Sequence, residues 1–274
     1  MSHHVLLLGG HGKVARLLTP LLLQRAWTVT SVIRSPDQVA TIEALAPDAA
    51  ARKNLHVLVH SLEDLVQSQD QAQKLLDQVR PDYVVWSAGA GGRGGPARTL
   101  AIDRDAATHV IDAAAASAFV TRFLMVSYVS SRRAKPSWWD DANWAAAEHV
   151  NNTVLPTYYK AKIAADEALY RASVRRNKSS SSSSSSTAFA GINLRPGTLT
   201  DEPAGPVELG RTKGARGPVS RATVARAADL LLAHPDTKTA WVDLLDGTED
   251  PEAAVDRVVR NHVDAIEGEP VTKE

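Results

Sequence analysis

The chain contains no cysteine among its 274 residues. This absence excludes a disulfide framework, a thiolate zinc site and a cysteine nucleophile. The chain also has no excess of charge, since 31 lysine and arginine residues match 31 aspartate and glutamate residues. A neutral chain gives no electrostatic reason to expect nucleic acid or an anionic membrane as a partner.

The sequence also lacks a charged leader, a long apolar segment and a histidine spacing typical of a metal site. The first predicted strand begins at Val5, so we expect a cytoplasmic protein without a bound metal. A small-molecule substrate is the expected partner. Nothing in the sequence predicts the oligomeric state.

Short apolar runs alternate with helical patterns along the chain. The runs are continuous, which indicates strands buried on both faces of a sheet. They predict strands at Val5–Leu8, Thr28–Ile33, Leu55–Val59, Tyr83–Trp86, Phe123–Val126, Gly191–Leu194 and Trp241–Leu244. Helices are predicted near 13–26, 37–46, 64–79, 98–118, 157–176, 220–234 and 251–266. This alternation predicts a single α/β domain over residues 1–274, with a doubly wound parallel sheet and a small C-terminal portion on the substrate side.

One segment interrupts this alternation. Ser179–Ser186 is a run of eight consecutive serines. Serine cannot bury apolar area to offset the entropy of ordering the chain. We therefore predict a mobile surface insertion at about 178–187 rather than a domain boundary.

Two long segments, 130–155 and 198–219, are predicted to form loops on the substrate side, because connections of this length are usually functional. The first of these segments contains three of the six tryptophans, Trp138, Trp139 and Trp144. These side chains either stack on a planar substrate or anchor the loop to the core.

The stretch GGHGKVA joins the first predicted strand to the first helix. Gly9, Gly12 and Ala15 match the pattern G-x-x-G-x-x-G/A in the context that a dinucleotide-binding motif requires. The first glycine permits a tight turn, the second lets a pyrophosphate approach the backbone, and the small third residue lets the helix pack on the strand. The alternative is an ordinary strand–helix turn. The predicted cofactor residues of this turn are Gly9, Gly10, His11, Gly12, Lys13 and Val14.

The second predicted strand is followed by Arg34 and Ser35, where an NAD-preferring site usually has an acid. A guanidinium there can bind a 2′-phosphate through two hydrogen bonds and stack on adenine. We therefore predict NADP(H) rather than NAD(H), the alternative being a solvated arginine. Later strands should contribute further cofactor residues at their carboxyl ends, namely Leu62, Ser87, Ala88, Gly89 and Pro196. The glycine-rich stretch after Ser87 would also suit a flexible loop.

In the stretch PTYYKAKIAADEALYRA, Tyr158 and Lys162 lie four residues apart and share one face of a predicted helix. A lysine one turn from a tyrosine favours the phenolate, so we expect Lys162 to lower the pKa of the phenol. Tyr159 has Ile163 at the matching position and lacks this partner. Tyr158 is therefore the predicted catalytic tyrosine, and Lys162 is also predicted to hold the nicotinamide ribose.

The order of GGHGKVA, VIRSP, WSAGAG, FLMVSYVSS, YYKAK and INLRPGTLT resembles the atypical short-chain dehydrogenase/reductases. The chain is most similar to their fungal NAD(P)H-binding branch, related to NmrA-like and biliverdin reductase B-like proteins. This resemblance implies a Rossmann core, NADP(H) binding and, in catalytic members, a serine–tyrosine–lysine set. That set corresponds to Ser127, Tyr158 and Lys162.

The chain departs from the family pattern in two places. Ser127 and Tyr158 are 31 residues apart, which is longer than typical of the family's enzymes, so Ser130 or Ser131 could replace Ser127. Ser61 stands where many relatives have an aspartate.

These features predict an NADP(H)-dependent oxidoreductase that reduces a small carbonyl or a planar aromatic, quinone-like compound. Tyr158 would donate the proton, Lys162 would tune its acidity, and Ser127 would hold the carbonyl oxygen. The alternative is a non-catalytic NADP(H)-binding redox sensor that acts through a protein partner. A sugar-nucleotide epimerase ranks third, because little chain follows Gly197 to cover so large a substrate.

Overall fold

A computed structural model describes residues 2–90, 94–180 and 188–274 of the chain. The strands are β1 (His4–Leu8), β2 (Thr28–Ile33), β3 (Leu55–Val59), β4 (Tyr83–Trp86), β5 (Arg122–Val126), β6 (Ala190–Pro196), β7 (Thr198–Thr200), β8 (Val207–Gly210), β9 (Pro218–Ser220) and β10 (Ala240–Asp246). The α-helices are α1 (Lys13–Gln24), α2 (Val39–Glu43), α3 (Ala49–Lys53), α4 (Gln69–Val79), α5 (Gly95–Leu100), α6 (Ala107–Ala116), α7 (Asp141–His149), α8 (Pro156–Ser180), α9 (Arg221–Ala233) and α10 (Pro251–Arg260). Two π-helical segments, Ala101–Ala106 and Val150–Val154, precede α6 and α8.

Eight strands form one sheet in the order β3-β2-β1-β4-β5-β6-β10-β8, and β7 pairs with β9 separately. All seven predicted strands lie in the large sheet and pair in parallel. The sequence did not predict β8, which pairs antiparallel with β10 at one edge. Strand order reverses between β1 and β4, and ligands bind above the carboxyl ends of strands at such a point. The doubly wound Rossmann fold is thus confirmed.

The first strand shows why the apolar runs are continuous. Val5 and Leu7 belong to the core layer formed with α1, α9 and α10, whereas Leu6 and Leu8 belong to the layer formed with α4, α6 and α8. Successive residues of a strand point to opposite faces, so a strand covered on both sides must be apolar at every position. Burying each of these side chains stabilises the fold by about 1.5–3 kcal/mol.

Several helices differ from their predicted bounds. The stretch 37–46 consists of a 3-10 turn at Pro36–Gln38 and the short helix α2, and the stretch 98–118 is divided by a π-helical segment. The last helix ends at Arg260 rather than near residue 266, because His262 adopts a positive φ of +51° that cannot continue a helix. The predicted loop 130–155 contains α7, and the predicted loop 198–219 contains three short strands.

Helix α8 continues through Ser179 and Ser180, so the serine run begins in helical conformation. The remainder of the predicted insertion, from 181 to 187, lies outside the described residues. Beyond it, β6 pairs with β5 and with β10 in the same sheet. Across the three described ranges, no helix has the length and apolar character that crossing a membrane requires.

Candidate functional site

The turn after β1 requires glycine at two positions for different reasons. Gly9 has φ +81°, in the left-handed region, and a Cβ there would lie 2.7 Å from the Ala88 Cα atom. A Cβ on Gly10 would overlap the hydroxyl of Ser31 in the neighbouring strand. The Gly12 amide donates to the Gly9 carbonyl at 2.8 Å and closes the turn. The backbone of the turn is therefore held against β2 and the segment after β4.

The first turn of α1 is open and has the features of an anion-binding site. Gly12 caps the helix without a side chain, and no acidic residue occupies the first turn. Val14 and Ala15 are buried in the core, whereas Gly12 and Lys13 are exposed and His11 is half-buried. Uncapped amides and the positive end of the helix dipole bind phosphate groups. These residues therefore fit the pyrophosphate of a dinucleotide.

Lys13 is paired with an acid that the sequence did not predict. Its ammonium lies 2.6 Å from Asp201, which follows β7, and Arg221 at the start of α9 lies 2.7 Å from the same carboxylate. Hydrogen bonding from Lys13 and the charge of Arg221 lower the pKa of Asp201. A carboxylate thus bridges two cations beside the open end of α1.

Arg34 lies directly after β2 and is exposed. Within the described ranges its side chain takes part in no hydrogen bond or ion pair, so the guanidinium is available to an anion. Ser35 is half-buried and donates to the carboxylate of Asp37. The sequence pattern predicted no acid at the end of β2. The Asp37 carboxylate nevertheless lies near the position predicted for the 2′-phosphate.

The segment after β4 passes directly over the glycine turn. Ser87 donates its amide to the Leu8 carbonyl at 3.0 Å, and Ala88 lies against Gly9. Gly89 has no room for a side chain, because a Cβ there would lie 2.9 Å from the carboxylate of Asp103. The structure therefore brings the predicted ribose-side residues against the glycine turn after β1.

Asp103 anchors the segment after β4 through a hydrogen bond. This buried carboxylate, in the first π-helical segment, accepts the amide of Ala90 at 2.8 Å. Burial raises the pKa of Asp103, and the nearby Lys162 ammonium opposes that shift. Asp103 is thus both an anchor for this segment and a carboxyl neighbour of Lys162 on α8.

Leu62 opens a short 3-10 helix after β3 and packs against the core, as a residue lining an adenine pocket would. Ser61, the residue in place of the family's aspartate, caps this helix by accepting the Glu63 amide at 3.3 Å. The Ser61 hydroxyl and the Arg98 guanidinium lower the pKa of Glu63 to about 2. The acidic side chain in the segment after β3 is therefore Glu63, because Ser61 replaces the aspartate that many relatives have there.

The three predicted catalytic residues lie together at the end of β5, although Ser127 and Lys162 have protein partners. Lys162 is buried, and its ammonium donates to the Val126 carbonyl at 2.8 Å. The Ser127 hydroxyl donates to Asp166 at 2.8 Å. The rings of Tyr128 and Tyr158 lie 5.2 Å apart, with their planes at 41°.

The expectation that Lys162 lowers the pKa of Tyr158 is wrong. Burial raises the pKa of the phenol above its ordinary value, and the charges of Asp103 and Asp166 raise it further. The single ammonium of Lys162 faces these same two carboxyls, so its charge is offset. Tyr158 therefore keeps its proton at neutral pH.

The other two serine candidates are held differently. Ser130 is buried and donates to the Ala215 carbonyl at 2.8 Å, away from Asp166. Ser131 is also buried, and among the described residues its hydroxyl makes no hydrogen bond. Arg195 fixes this segment, because its guanidinium donates to the carbonyls of Val129 at 2.9 Å and Ser131 at 2.8 Å.

Pro196, at the end of β6, lies beside the same segment. Its carbonyl accepts the Val129 amide at 3.0 Å, and its side chain is buried in the sheet. Pro196 therefore lies at the carboxyl end of β6, as predicted, beside the segment after β5 that contains the candidate serines.

The tryptophans of segment 130–155 serve as anchors. Trp139 is buried and donates its indole N–H to the Thr212 carbonyl at 2.8 Å. The Trp138 ring centroid lies 5.3 Å from the guanidinium carbon of Arg132 and 4.8 Å from that of Arg211. Trp144 packs against the small cluster that contains Trp139. These contacts support the loop-anchor interpretation over substrate stacking.

Sequence reasoning missed Asp103, Tyr128 and Asp166. Asp166 lies one turn beyond Lys162, so the four-residue spacing that selected Tyr158 and Lys162 could have found it. Tyr128 directly follows Ser127, and its hydroxyl donates to Asn151 at 2.7 Å. Asp103 gave no signal, because its partners are remote in sequence.

Comparison with known proteins agrees with this geometry. A family model described as NAD(P)H-binding matches residues 9–235. The chain is 32% identical over 243 residues to the UPF0659 protein C216.03 of Schizosaccharomyces pombe, covering 87% of this chain and 88% of that protein. It is 27% identical over 244 residues to the uncharacterized sugar epimerase YhfK of Bacillus subtilis, covering 89% and 94%.

Among solved structures, the chain is similar to a putative NAD-dependent epimerase/dehydratase from Bacillus halodurans. The TM-score is 0.71 at 22% identity, over 93% of this chain and all of that one. At this identity the likeness supports the fold. The family match spans the glycine turn, the segment after β5, α8 and the whole of α9. The chain therefore belongs to the NAD(P)H-binding family.

Proposed function

We propose that this protein is an NADP(H)-dependent oxidoreductase that reduces a small carbonyl or a planar aromatic, quinone-like substrate. The observation that supports this best is the shared position of two features. The open anion site of α1 and the half-buried Tyr158 phenol lie at the carboxyl ends of neighbouring strands, β1, β4 and β5. One crevice can therefore hold a dinucleotide and a reacting oxygen.

Different residues of the crevice would bind different groups of the cofactor. The N-terminus of α1 would hold the pyrophosphate, Arg34 the 2′-phosphate, and Ser87–Gly89 the ribose. Lys162 would also reach the ribose, since an ammonium has three N–H donors and Val126 takes one. Bound NADPH would supply a hydride.

Tyr158 suits the proton side of the reduction. The Tyr158 phenol is protonated at neutral pH, as a proton donor must be, and its raised pKa makes it a weaker acid than an ordinary tyrosine. When the substrate's carbonyl carbon gains a hydride, its oxygen takes the Tyr158 proton, which yields an alcohol and a tyrosinate. The tyrosinate then regains a proton from solvent. The neighbouring Tyr128 ring provides an aromatic wall for a planar substrate.

Arg34→Ala is expected to weaken NADPH binding far more than NADH binding. Loss of a charge-assisted pair with the 2′-phosphate would cost about 1.5–3 kcal/mol. NADH lacks that phosphate and should keep its affinity. Calorimetric titration of both cofactors measures the difference.

Arg260→Ala provides the matched control, because this arginine is exposed at the end of α10 and pairs only with Asp256 among the described residues. Its affinities for both cofactors should equal those of the wild type. Equal weakening of NADPH and NADH by Arg34→Ala would contradict the assignment. Asp37→Asn tests the neighbouring acid and should strengthen NADPH binding if the carboxylate repels the 2′-phosphate.

Asp201→Asn is expected to tighten NADPH binding at low salt by about two- to five-fold. The change removes the carboxylate that offsets Lys13 and Arg221 beside the anion site. Both cations would then attract the pyrophosphate, and the gain should vanish at high ionic strength. Weaker binding in the variant would instead show that Asp201 helps to close the site.

A redox sensor is the second candidate, and the protein partners of Ser127 and Lys162 favour it. A sensor needs the cofactor site but no free catalytic groups. The decisive measurement is NADPH oxidation by the wild type across quinones, flavins and small ketones. NADPH binding without turnover of any compound would favour the sensor. An epimerised sugar, detected in a separate product assay, would favour the activity named for the Bacillus subtilis relative.

A further inference from the structure

Asp166 continues the catalytic face of α8. Tyr158, Lys162 and Asp166 follow one another at four-residue intervals, which aligns them along one side of the helix. Asp166 is fully buried, and one of its oxygens accepts the Ser127 hydroxyl at 2.8 Å. The reaction described above gives this carboxyl no task.

The contact limits what Ser127 can do. A serine hydroxyl has a single hydrogen to donate and two lone pairs that accept. A carboxylate only accepts, so it takes the hydrogen of Ser127. A protonated carboxyl can instead donate to Ser127, which frees the serine hydrogen for another acceptor.

Resting on the proposed function, we propose that Asp166 is a positioning residue that sets the direction of the Ser127 O–H bond. When Asp166 is protonated, Ser127 donates to the substrate's carbonyl oxygen. When Asp166 is ionised, Ser127 donates to Asp166 and the substrate oxygen loses this hydrogen bond. Polarisation of the substrate therefore depends on the charge of one buried group behind the serine.

The surroundings of Asp166 can support both charge states. Burial raises its pKa, while Arg195 of β6 and Lys162 of its own helix lower it. The Ser127 hydroxyl also stabilises the ionised form through its hydrogen bond. The carboxyl in turn acts on two phenols, Tyr158 on its own helix and Tyr128 in the segment after β5.

The lack of a hydrogen-bond partner at the second oxygen of Asp166, within the described residues, favours a protonated carboxyl. Within the described residues, Asp166 Oδ1 has no hydrogen-bond partner and neither does the hydroxyl of Ser131. An ionised oxygen in such a place would lack the donors that a buried charge requires. A protonated carboxyl needs fewer donors.

The first test is the pH dependence of turnover in four proteins: the wild type, Asp166→Asn, Ser127→Ala and the double variant. The wild type should lose about 10-fold in kcat as pH rises through the titration of Asp166, the effect of one hydrogen bond. Asp166→Asn should keep the acid-side kcat at all pH values, because its amide can donate to Ser127. Ser127→Ala should stay at the low, alkaline-side kcat throughout.

The double variant shows whether Asp166 acts through Ser127. Its kcat and pH profile should match those of Ser127→Ala, since the second change has no serine left to direct. Ser127→Thr, which keeps the hydroxyl, should restore the wild-type profile. Additive losses in the double variant, or a wild-type profile in Asp166→Asn, would overturn the proposal.

A second measurement needs no cofactor and no substrate. Infrared or carbon NMR titration of the free protein follows the Asp166 carboxyl directly. Ser127→Ala removes a hydrogen bond to the ionised form, so the Asp166 titration should move to higher pH. An unmoved titration would overturn the proposal, even if no substrate is ever turned over.

Two controls exclude a general effect of altered packing. Ser173→Ala removes a buried hydroxyl from the same helix, where it donates to the Leu169 carbonyl at 2.7 Å. Asp229→Asn neutralises a buried carboxylate on α9 that pairs with Arg25 at 2.5 Å. Neither change should move the pH profile or the Asp166 titration. If Asp166→Asn does not fold, Ser127→Ala and Ser127→Thr still test both readouts.

Discussion

Tyr158→Phe should lower the turnover of any carbonyl or quinone substrate by about 10²–10⁴-fold, the contribution expected of a positioned proton donor. The phenol is protonated at neutral pH, and burial and the charges of two carboxyls raise its pKa further. NADPH affinity should survive, since the predicted cofactor contacts lie on α1, Arg34 and Lys162. Steady-state kinetics and calorimetry on the same protein separate the two effects.

The control for this change must be chosen with care. Tyr159 donates its hydroxyl to the Arg132 carbonyl at 2.9 Å, so Tyr159→Phe would loosen the segment after β5. Tyr170 lies on the same helix and packs in an apolar cluster near Trp241. Tyr170→Phe should leave turnover unchanged. Full activity in Tyr158→Phe would remove the catalytic assignment and favour the sensor.

Gly12→Val should abolish the stabilisation that NADPH gives the wild type. At 100 times its dissociation constant a ligand stabilises the folded state by about 2.7 kcal/mol, which raises Tm by roughly 5–10 °C in a chain of this size. A branched side chain at Gly12 would stand over the amides that are expected to bind the pyrophosphate. Thermal unfolding with and without NADPH measures the loss.

The free protein should tolerate this substitution. Gly12 has an ordinary φ of −64°, and a Cβ there would lie 3.0 Å from the Gly9 carbonyl, which requires only a small shift. Gly205→Val is the matched control, because a Cβ at Gly205 would meet no atom within 4 Å. A variant at Gly12 that keeps the full melting shift would restore the interpretation of this turn as an ordinary connection.

The parallel sheet could be predicted from sequence because its cause is local. A strand covered by helices on both faces must be apolar at every position, and Val5–Leu8 shows this directly in the sequence. The short strands β7, β8 and β9 lie in a segment rich in glycine, proline and charge, where no such run exists. Their pairing depends on partners elsewhere in the chain, such as β10 for β8.

In the candidate site, too, features with a local cause could be predicted from sequence and features that depend on distant residues could not. The four-residue spacing of Tyr158 and Lys162 is local and could be found by pattern. The acidity of Tyr158 could not, because Asp103 reaches it from another element and burial depends on the whole fold. The partner of Ser127 is likewise 39 residues away in sequence. Pattern predicts which groups share a helix face, but not the charges that meet them.

The two segments beside the crevice have a mechanical consequence. Ser130 and Trp139, from one segment, bind the carbonyls of Ala215 and Thr212, from the other. Asn143 of α7 also accepts the Ala215 amide at 3.0 Å. Because the two segments are joined at three points, we expect them to move together. The opening to the crevice should therefore widen by a single concerted displacement. The rate at which a product escapes would then be governed by one barrier, and shortening either segment would change it.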